Sequence, residues 1–216
     1  MKPATSNRDR AFFPMLLSLA GRKCVVVGAG KIATARIEGL LACGASVTVV
    51  SPRAAPAIQR LAREKALVWR RRAFRARDLD GAFLAVAATN SRNANSAVFR
   101  ACKPRGVLCN SVDDPEHCDF IYPAVVRRGP LQIAISTGGR SPALAARLRR
   151  ELERQFGPEW AARVEELGRL RKGLLERPMP AVARRRHLKQ MVTAQALHNS
   201  LLGARKPARN KTRRST

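Results

Sequence analysis

One stretch constrains the fold more than any other: GRKCVVVGAGKIATARIEGLLACGASVTVVSPR, from Gly21 to Arg53. Its apolar run, Cys24 to Val27, has the character of a parallel strand covered on both faces. A glycine turn follows, then apolar residues at helical spacing (Ile32, Ala35, Ile37, Leu40, Leu41), a closing Gly44 and a second strand. Gly28, Gly30 and Ala33 stand at the spacing GxGxxA, and each small residue has a physical task. Gly28 makes the tight turn, Gly30 lets a pyrophosphate approach the backbone, and Ala33 lets the helix lie close on the sheet. The helix N-terminus then offers its free N–H groups to phosphates. A structural βαβ turn without ligand is the alternative; the strand before the motif and the helix after it favour a dinucleotide site.

An acidic residue for the ribose hydroxyls is missing where the second strand ends, because Val49 and Val50 run into Ser51, Pro52 and Arg53. Arg53 is placed either to pair with a 2′-phosphate, which would favour NADP, or to be solvated like other arginines of this chain.

At 216 residues the chain is long enough for one domain or two small ones. Its size lets it bury roughly 70% of the surface its unfolded form exposes. No stretch is long and apolar enough to span a bilayer. The short apolar run Phe12 to Ala20 is interrupted by Pro14 and passes directly into the first strand, so it reads as a surface element rather than a signal peptide, and a cytoplasmic location is expected. The five cysteines show no CxxC pairing and read as reduced, buried thiols. Lys and Arg number 42 against 15 acidic residues, a net charge of +27, which calls for an anionic partner or reflects a compositional bias toward arginine. The basic residues are dispersed over Arg70 to Arg72, Arg147 to Arg150, Arg184 to Arg186 and the tail, with few aromatics and no nucleic-acid-binding module, so specific nucleic-acid binding is not expected.

Further along, helical and extended stretches alternate: a helix over 54–65, strands at 66–69 and 82–88, a helix over 93–102 and a strand over 107–110. This pattern predicts a Rossmann-type α/β parallel sheet with ligands at the carboxyl ends of its strands, where Thr89, Asn90, Asn110 and Asp113 fall. After Asp114 and Pro115 the character becomes β-rich, with a turn at Arg128 to Pro130. Ser141 with Pro142 then opens a helix whose Leu144, Leu148, Leu152 and Phe156 give it one apolar face. Trp160, Val164, Leu167, Leu170 and Leu174 mark a second helix, and a third is expected around 188–197. The expected organisation is a Rossmann domain over 1–114, a β-rich dimerisation segment over 115–140, a helical domain over 141–202 and a disordered basic tail over 203–216.

The order FFPMLLSLAGRKCVVVGAGKIA, then AATNS, then LCNSVDDPEHCDFIYPAVVRRGPLQIAISTGGRSPALAARLRREL resembles the precorrin-2 dehydrogenase/sirohydrochlorin ferrochelatase family, including the amino-terminal region of the sirohaem synthases. The resemblance implies NAD-dependent oxidation of precorrin-2 to sirohydrochlorin, with Fe²⁺ insertion following in some members, in an interlocked homodimer. It also implies a separate uroporphyrinogen methyltransferase upstream. A rim of substrate carboxylates gives a basic cleft a purpose. By the same resemblance Gly28, Ala29 and Gly30 are the cofactor turn and Lys31 and Ile32 contact NAD. Ser51, Pro52 and Arg53 lie at the end of the second strand, where the family also commonly lacks the acidic residue, and Thr89 lies on the nicotinamide side.

Asp113 corresponds to the aspartate of the family's CNxVD motif. Loss of hydride must be balanced by loss of a proton, and a carboxylate at a strand end beside the cofactor can take it; the plain alternative is a turn aspartate, with Asp114 as the nearest rival. His117 and Cys118 complete no metal constellation, and no metal ligands are assigned. Thr137 stands where fused members carry a regulatory serine, against a simple role in a glycine turn. Two other readings stay open: a protein that is mainly a sirohydrochlorin ferrochelatase, and a non-catalytic nucleotide-binding redox sensor.

Overall fold

Strand residues with the two-residue period of a pleated sheet divide their side chains between two separate cores. In the computed structural model, which describes residues 11–193, five strands form one parallel sheet: β1 (Lys23–Val27), β2 (Ser46–Val50), β3 (Val68–Arg70), β4 (Leu84–Ala87) and β5 (Leu108–Ser111). Their spatial order is β3-β2-β1-β4-β5, the doubly wound order with its switch point between β1 and β4. Cys24, Val26, Val47, Val49, Leu84 and Val86 face one core, shared with Ala33, Ile37 and Leu40 of α1 (Lys31–Ala42) and Ile58 of α2 (Pro56–Arg63). Val25, Val27, Ala85, Ala87 and Cys109 face the other, with Val98 and Cys102 of α3 (Arg92–Cys102) and Leu79. The run that read as a doubly covered strand is therefore covered by helices on both sides.

The chain divides into two compact units, the first ending at Tyr122 and the second beginning at Pro123. The second holds an antiparallel hairpin of β6 (Ala124–Arg128) and β7 (Leu131–Ile135), with Gly129 in the left-handed region at its turn, followed by α4 (Pro142–Gln155), α5 (Glu159–Glu176) and α6 (Ala181–Gln190). Ser141 caps α4 as its sequence requires, its hydroxyl accepting the Leu144 N–H at 3.3 Å, with Pro142 in the first turn. The third helix begins at Ala181, directly after Pro180, ahead of the expected 188–197. Its Ala, Arg, Lys and Gln are good helix formers that need no apolar period. The part of that expectation beyond 193, and the tail over 203–216, lie outside the described residues. Thr137 serves the glycine turn: its hydroxyl accepts the Ser141 N–H at 3.0 Å, and Gly138 and Gly139 both have positive φ.

Arg70 and Arg72, read as part of a dispersed basic surface, have a partner that sequence reading did not find. Asp78 is fully buried and accepts from Arg70 at 2.5 Å, from Arg72 at 2.6 and 2.8 Å, and from the Arg75 N–H at 2.9 Å. The Arg72 hydrogen bonds, aided by those from Arg75 and Arg70, hold its carboxyl well below the usual carboxylate range. Part of the positive excess is thus spent on tying β3 to the turn before β4.

Candidate functional site

At the switch point the first glycine of the motif is required by its neighbours as well as by its own backbone. Gly28 has φ +107, and a Cβ there would stand 2.2 Å from the Ala88 carbonyl oxygen. The end of β4 therefore packs directly on the Gly28 backbone. Gly30 differs: a Cβ there meets nothing within 4 Å, so the space beside it is open. It precedes α1, whose first turn has no side-chain cap, leaving backbone N–H groups for an anion. Ala33 is completely buried, so α1 lies tight on the sheet. These features fit a bound dinucleotide, whose phosphates would lie over Gly30, Lys31 and Ile32.

Ala29 is buried, and its carbonyl accepts the Ala55 N–H at 3.0 Å, fastening the glycine turn to the segment after β2. In that segment the Ser51 hydroxyl donates to the Arg53 carbonyl at 2.7 Å, which shapes the loop, while Pro52 and Arg53 are exposed.

Between the ends of β4 and β5 lies a cavity of about 260 Å³, lined by Ile32, Ala88, Thr89, Asn90, Arg92, Asn95, Val112, Asp113 and Asp114. Five residues singled out from sequence, Ile32, Thr89, Asn90, Asp113 and Asp114, meet there; Asn110, the glycine turn and Ser51 to Arg53 are not among its lining. The Asp113 loop is held from below. Val112 N–H donates to the Ala87 carbonyl at 2.9 Å, Asn110 Nδ2 donates to the Phe120 carbonyl at 2.8 Å, and the Asp119 carboxylate accepts the Cys109 N–H at 3.0 Å.

The two aspartates differ in what binds them. Asp114 is committed to its own loop, its Oδ2 2.5 Å from His117 Nδ1, and the imidazole lies against the Phe99 ring. Asp113 lines the cavity in the left-handed region, φ +59, and is exposed. Aspartate is among the non-glycine residues that enter this region most readily, so the loop can turn here without a glycine. His117 is thus an aspartate partner, and Cys118 is buried with its thiol donating to the Ser111 carbonyl at 3.2 Å. Among the described residues no group of three or more His, Cys, Asp or Glu is placed to hold a metal ion. Burial pushes the Cys24 thiol up to about 11, so it is protonated and unreactive at neutral pH.

Sequence reading missed Arg92 and Asn95. A signal for Asn95 existed: an asparagine inside a helix is unfavourable unless its amide has a task.

The model described as putative NAD(P)-binding matches residues 15–124, and the one described as sirohaem biosynthesis protein central matches 128–155. Siroheme synthase 1 of Serratia proteamaculans is 35% identical over 175 residues, 81% of this chain and 37% of the relative. Siroheme synthase of Methylococcus capsulatus is 39% identical over 171 residues, 79% of this chain and 35% of the relative. The chain therefore spans about a third of the length of the curated relatives it matches. The solved structure of SirC, precorrin-2 dehydrogenase, superposes with a TM-score of 0.75 at 27% identity, covering 89% of this chain and 98% of that one. With one family model matching more than half of the chain and a second matching the segment after it, the chain belongs to the putative NAD(P)-binding family and corresponds to the amino-terminal region of siroheme synthase.

Proposed function

We propose that this protein oxidises precorrin-2 to sirohydrochlorin with NAD as hydride acceptor. The observation that carries the reading is a dinucleotide turn at the switch point followed by Ile32, which shares the neighbouring cavity with an exposed carboxylate, Asp113. A bound dinucleotide supplies the acceptor for hydride. The remaining work belongs to the chain. Gly30 and the N-terminus of α1 bind the phosphates, Ile32 and the Ala88 to Asn90 edge form the wall, and Asp113 accepts the proton that leaves the substrate as its C–H bond gives up hydride. One hydride and one proton leave for each two-electron step, so the products are the oxidised macrocycle, the reduced nucleotide and a protonated carboxylate that returns its proton to solvent. Arg92, on the cavity rim, supplies positive charge facing an acidic substrate.

The preference for NAD over NADP is proposed from the resemblance to precorrin-2 dehydrogenases, which commonly lack an acidic residue at this position; the exposed Arg53 is the group that would favour NADP, and an assay with both nucleotides decides between them. A homodimer is also proposed. In α4, Leu144 and Leu148 are 47% and 38% exposed, although they belong to the apolar face expected from sequence. Among the described residues no helix is long and apolar enough to cross a membrane.

The test is an anaerobic assay with freshly generated precorrin-2, following reduced nucleotide and the sirohydrochlorin spectrum with NAD and with NADP. Asp113→Asn is expected to lower turnover by about 10²- to 10⁴-fold while nucleotide binding persists. Wild-type turnover retained by this variant removes Asp113 from the assignment, and no wild-type turnover with either nucleotide removes the reading.

A further inference from the structure

In the cavity wall stands a buried carboxamide. Asn95 of α3 is 5% exposed. Its Oδ1 accepts the Thr89 amide N–H at 3.1 Å and the Thr89 hydroxyl at 2.7 Å, and its Nδ2 donates to the Thr89 carbonyl at 3.1 Å. Ser91 adds to the arrangement, its N–H donating to Thr89 Oγ1 at 3.2 Å while its own hydroxyl caps α3 by accepting the Ala94 N–H at 3.3 Å. The backbone groups and the hydroxyl proton of Thr89 are thereby used to hold the loop between β4 and α3, so Thr89 contributes a fixed surface rather than a free donor.

The opposite side of this loop rests on the dinucleotide turn with no side chain between. The Ala88 carbonyl oxygen and the Thr89 nitrogen lie 2.2 and 3.1 Å from where a Gly28 Cβ would be. Displacement of residues 88 and 89 therefore cannot be absorbed by a rotamer change. It moves the cavity wall relative to the turn that holds the cofactor.

We propose that Asn95 is a positioning residue for hydride transfer, acting through Thr89 to register the bound dinucleotide against the substrate. The proposal rests on the dehydrogenase reading above. The loop needs one side chain that accepts twice and donates once, at one reach. Aspartate places an acceptor against the Thr89 carbonyl, and alanine leaves buried groups of Thr89 unpaired. In the step concerned the substrate C–H bond breaks with its electron pair going to the nicotinamide, and the balancing proton goes to Asp113. A misplacement near 1 Å lowers the rate of such a step without removing the groups that carry it.

The experiment compares wild type, Asn95→Asp and Thr89→Val in anaerobic single turnovers with precorrin-2 and NAD, together with NADH affinity by fluorescence titration and thermal unfolding. Asn95→Asp is expected to slow hydride transfer about 10²-fold while NADH affinity stays within about threefold of wild type. Thr89→Val keeps both main-chain bonds to Asn95 while removing the hydroxyl bonds to Asn95 and Ser91, and is expected to slow the same step about fivefold with NADH affinity within about threefold of wild type. Wild-type rates in both variants overturn the role of Asn95. Equal losses of affinity and rate also overturn it, because they mark a general loosening of the nucleotide site. A wild-type protein that binds NADH but does not oxidise precorrin-2 overturns the dehydrogenase reading, and the role of Asn95 falls with it.

Discussion

The two compact units are built on different terms. In the first, both faces of the sheet are filled by their own helices, and almost every core residue is fully buried. In the second, Val126 is the completely buried apolar residue among those described, Ala145 is nearly so, and Arg163 is buried with its guanidinium donating to Glu166 at 2.8 Å and to the Met191 carbonyl at 3.1 Å. Leu144, Leu148, Leu170, Leu175 and Val182 are exposed. The hydrophobic effect therefore completes the core around the sheet within one chain, although Phe13, Met15 and Leu16 ahead of it are exposed, whereas the helical unit has little core of its own and offers apolar surface for burial elsewhere. A site assembled at the end of a self-sufficient sheet can be held rigid by that unit alone.

The sharpest way to break this contrast lies in the glycine turn. Gly28→Ala combines a positive φ with a backbone clash and is expected to cost on the order of 3 kcal/mol or more in urea unfolding. Gly30→Ala meets open space and should leave the unfolding midpoint unchanged while weakening NADH binding. Equal effects of the two substitutions on stability would show that the two glycines do not divide their roles as the geometry requires.

Next in size is the buried carboxylate. Asp78→Asn should destabilise the protein by about 3 kcal/mol, since it leaves two arginines without their anion. Because the folded-state pKa of Asp78 is lowered, its stabilisation is present above the unfolded value near 4 and is lost as pH falls below it. The variant's unfolding free energy should accordingly vary less with pH below about 4 than that of wild type. An unchanged acid limb in urea titrations at stepped pH would separate Asp78 from acid stability.

A smaller effect is expected in the helical unit. Leu144→Ser with Leu148→Ser should change intramolecular stability by less than about 1 kcal/mol, as for exposed positions, yet shift sedimentation toward monomer. A double variant that sediments as wild type argues against this face as the dimer contact.

Smallest is Tyr122→Phe. The Tyr122 hydroxyl is buried without a hydrogen-bond partner among the described residues, and its pKa is pushed up to about 12, chiefly by burial. The Arg36 guanidinium stacks 3.9 Å from the ring centre and needs only the ring. Removing the hydroxyl is expected to be neutral or to stabilise by up to about 1 kcal/mol in thermal or urea unfolding. A marked loss of stability would reveal a partner for that oxygen.

Local pattern was enough for much of this protein, because the forces concerned act over one turn or one strand. Alternating and continuous apolar runs placed the strands, Gly28 and Gly30 marked the nucleotide turn, Ser141 with Pro142 marked the start of α4, and the order of motifs pointed to the family. Asp113 was found through the resemblance, and its distinction from Asp114 is supported by the His117 contact, which engages the Asp114 carboxylate although both aspartates line the cavity. What the pattern could not carry were pairings across space. Arg70 to Arg72 read as surface charge, yet Asp78 lies beneath two of them, and nothing in the local pattern joins the Asn95 amide to Thr89. Sequence by itself determined where the elements lie and which turn can receive phosphates, since backbone conformation and burial period are local properties. Only the tertiary structure decided which polar groups neutralise one another and which face the cavity, because hydrogen bonds and ion pairs depend on distances set by the packing of the whole sheet.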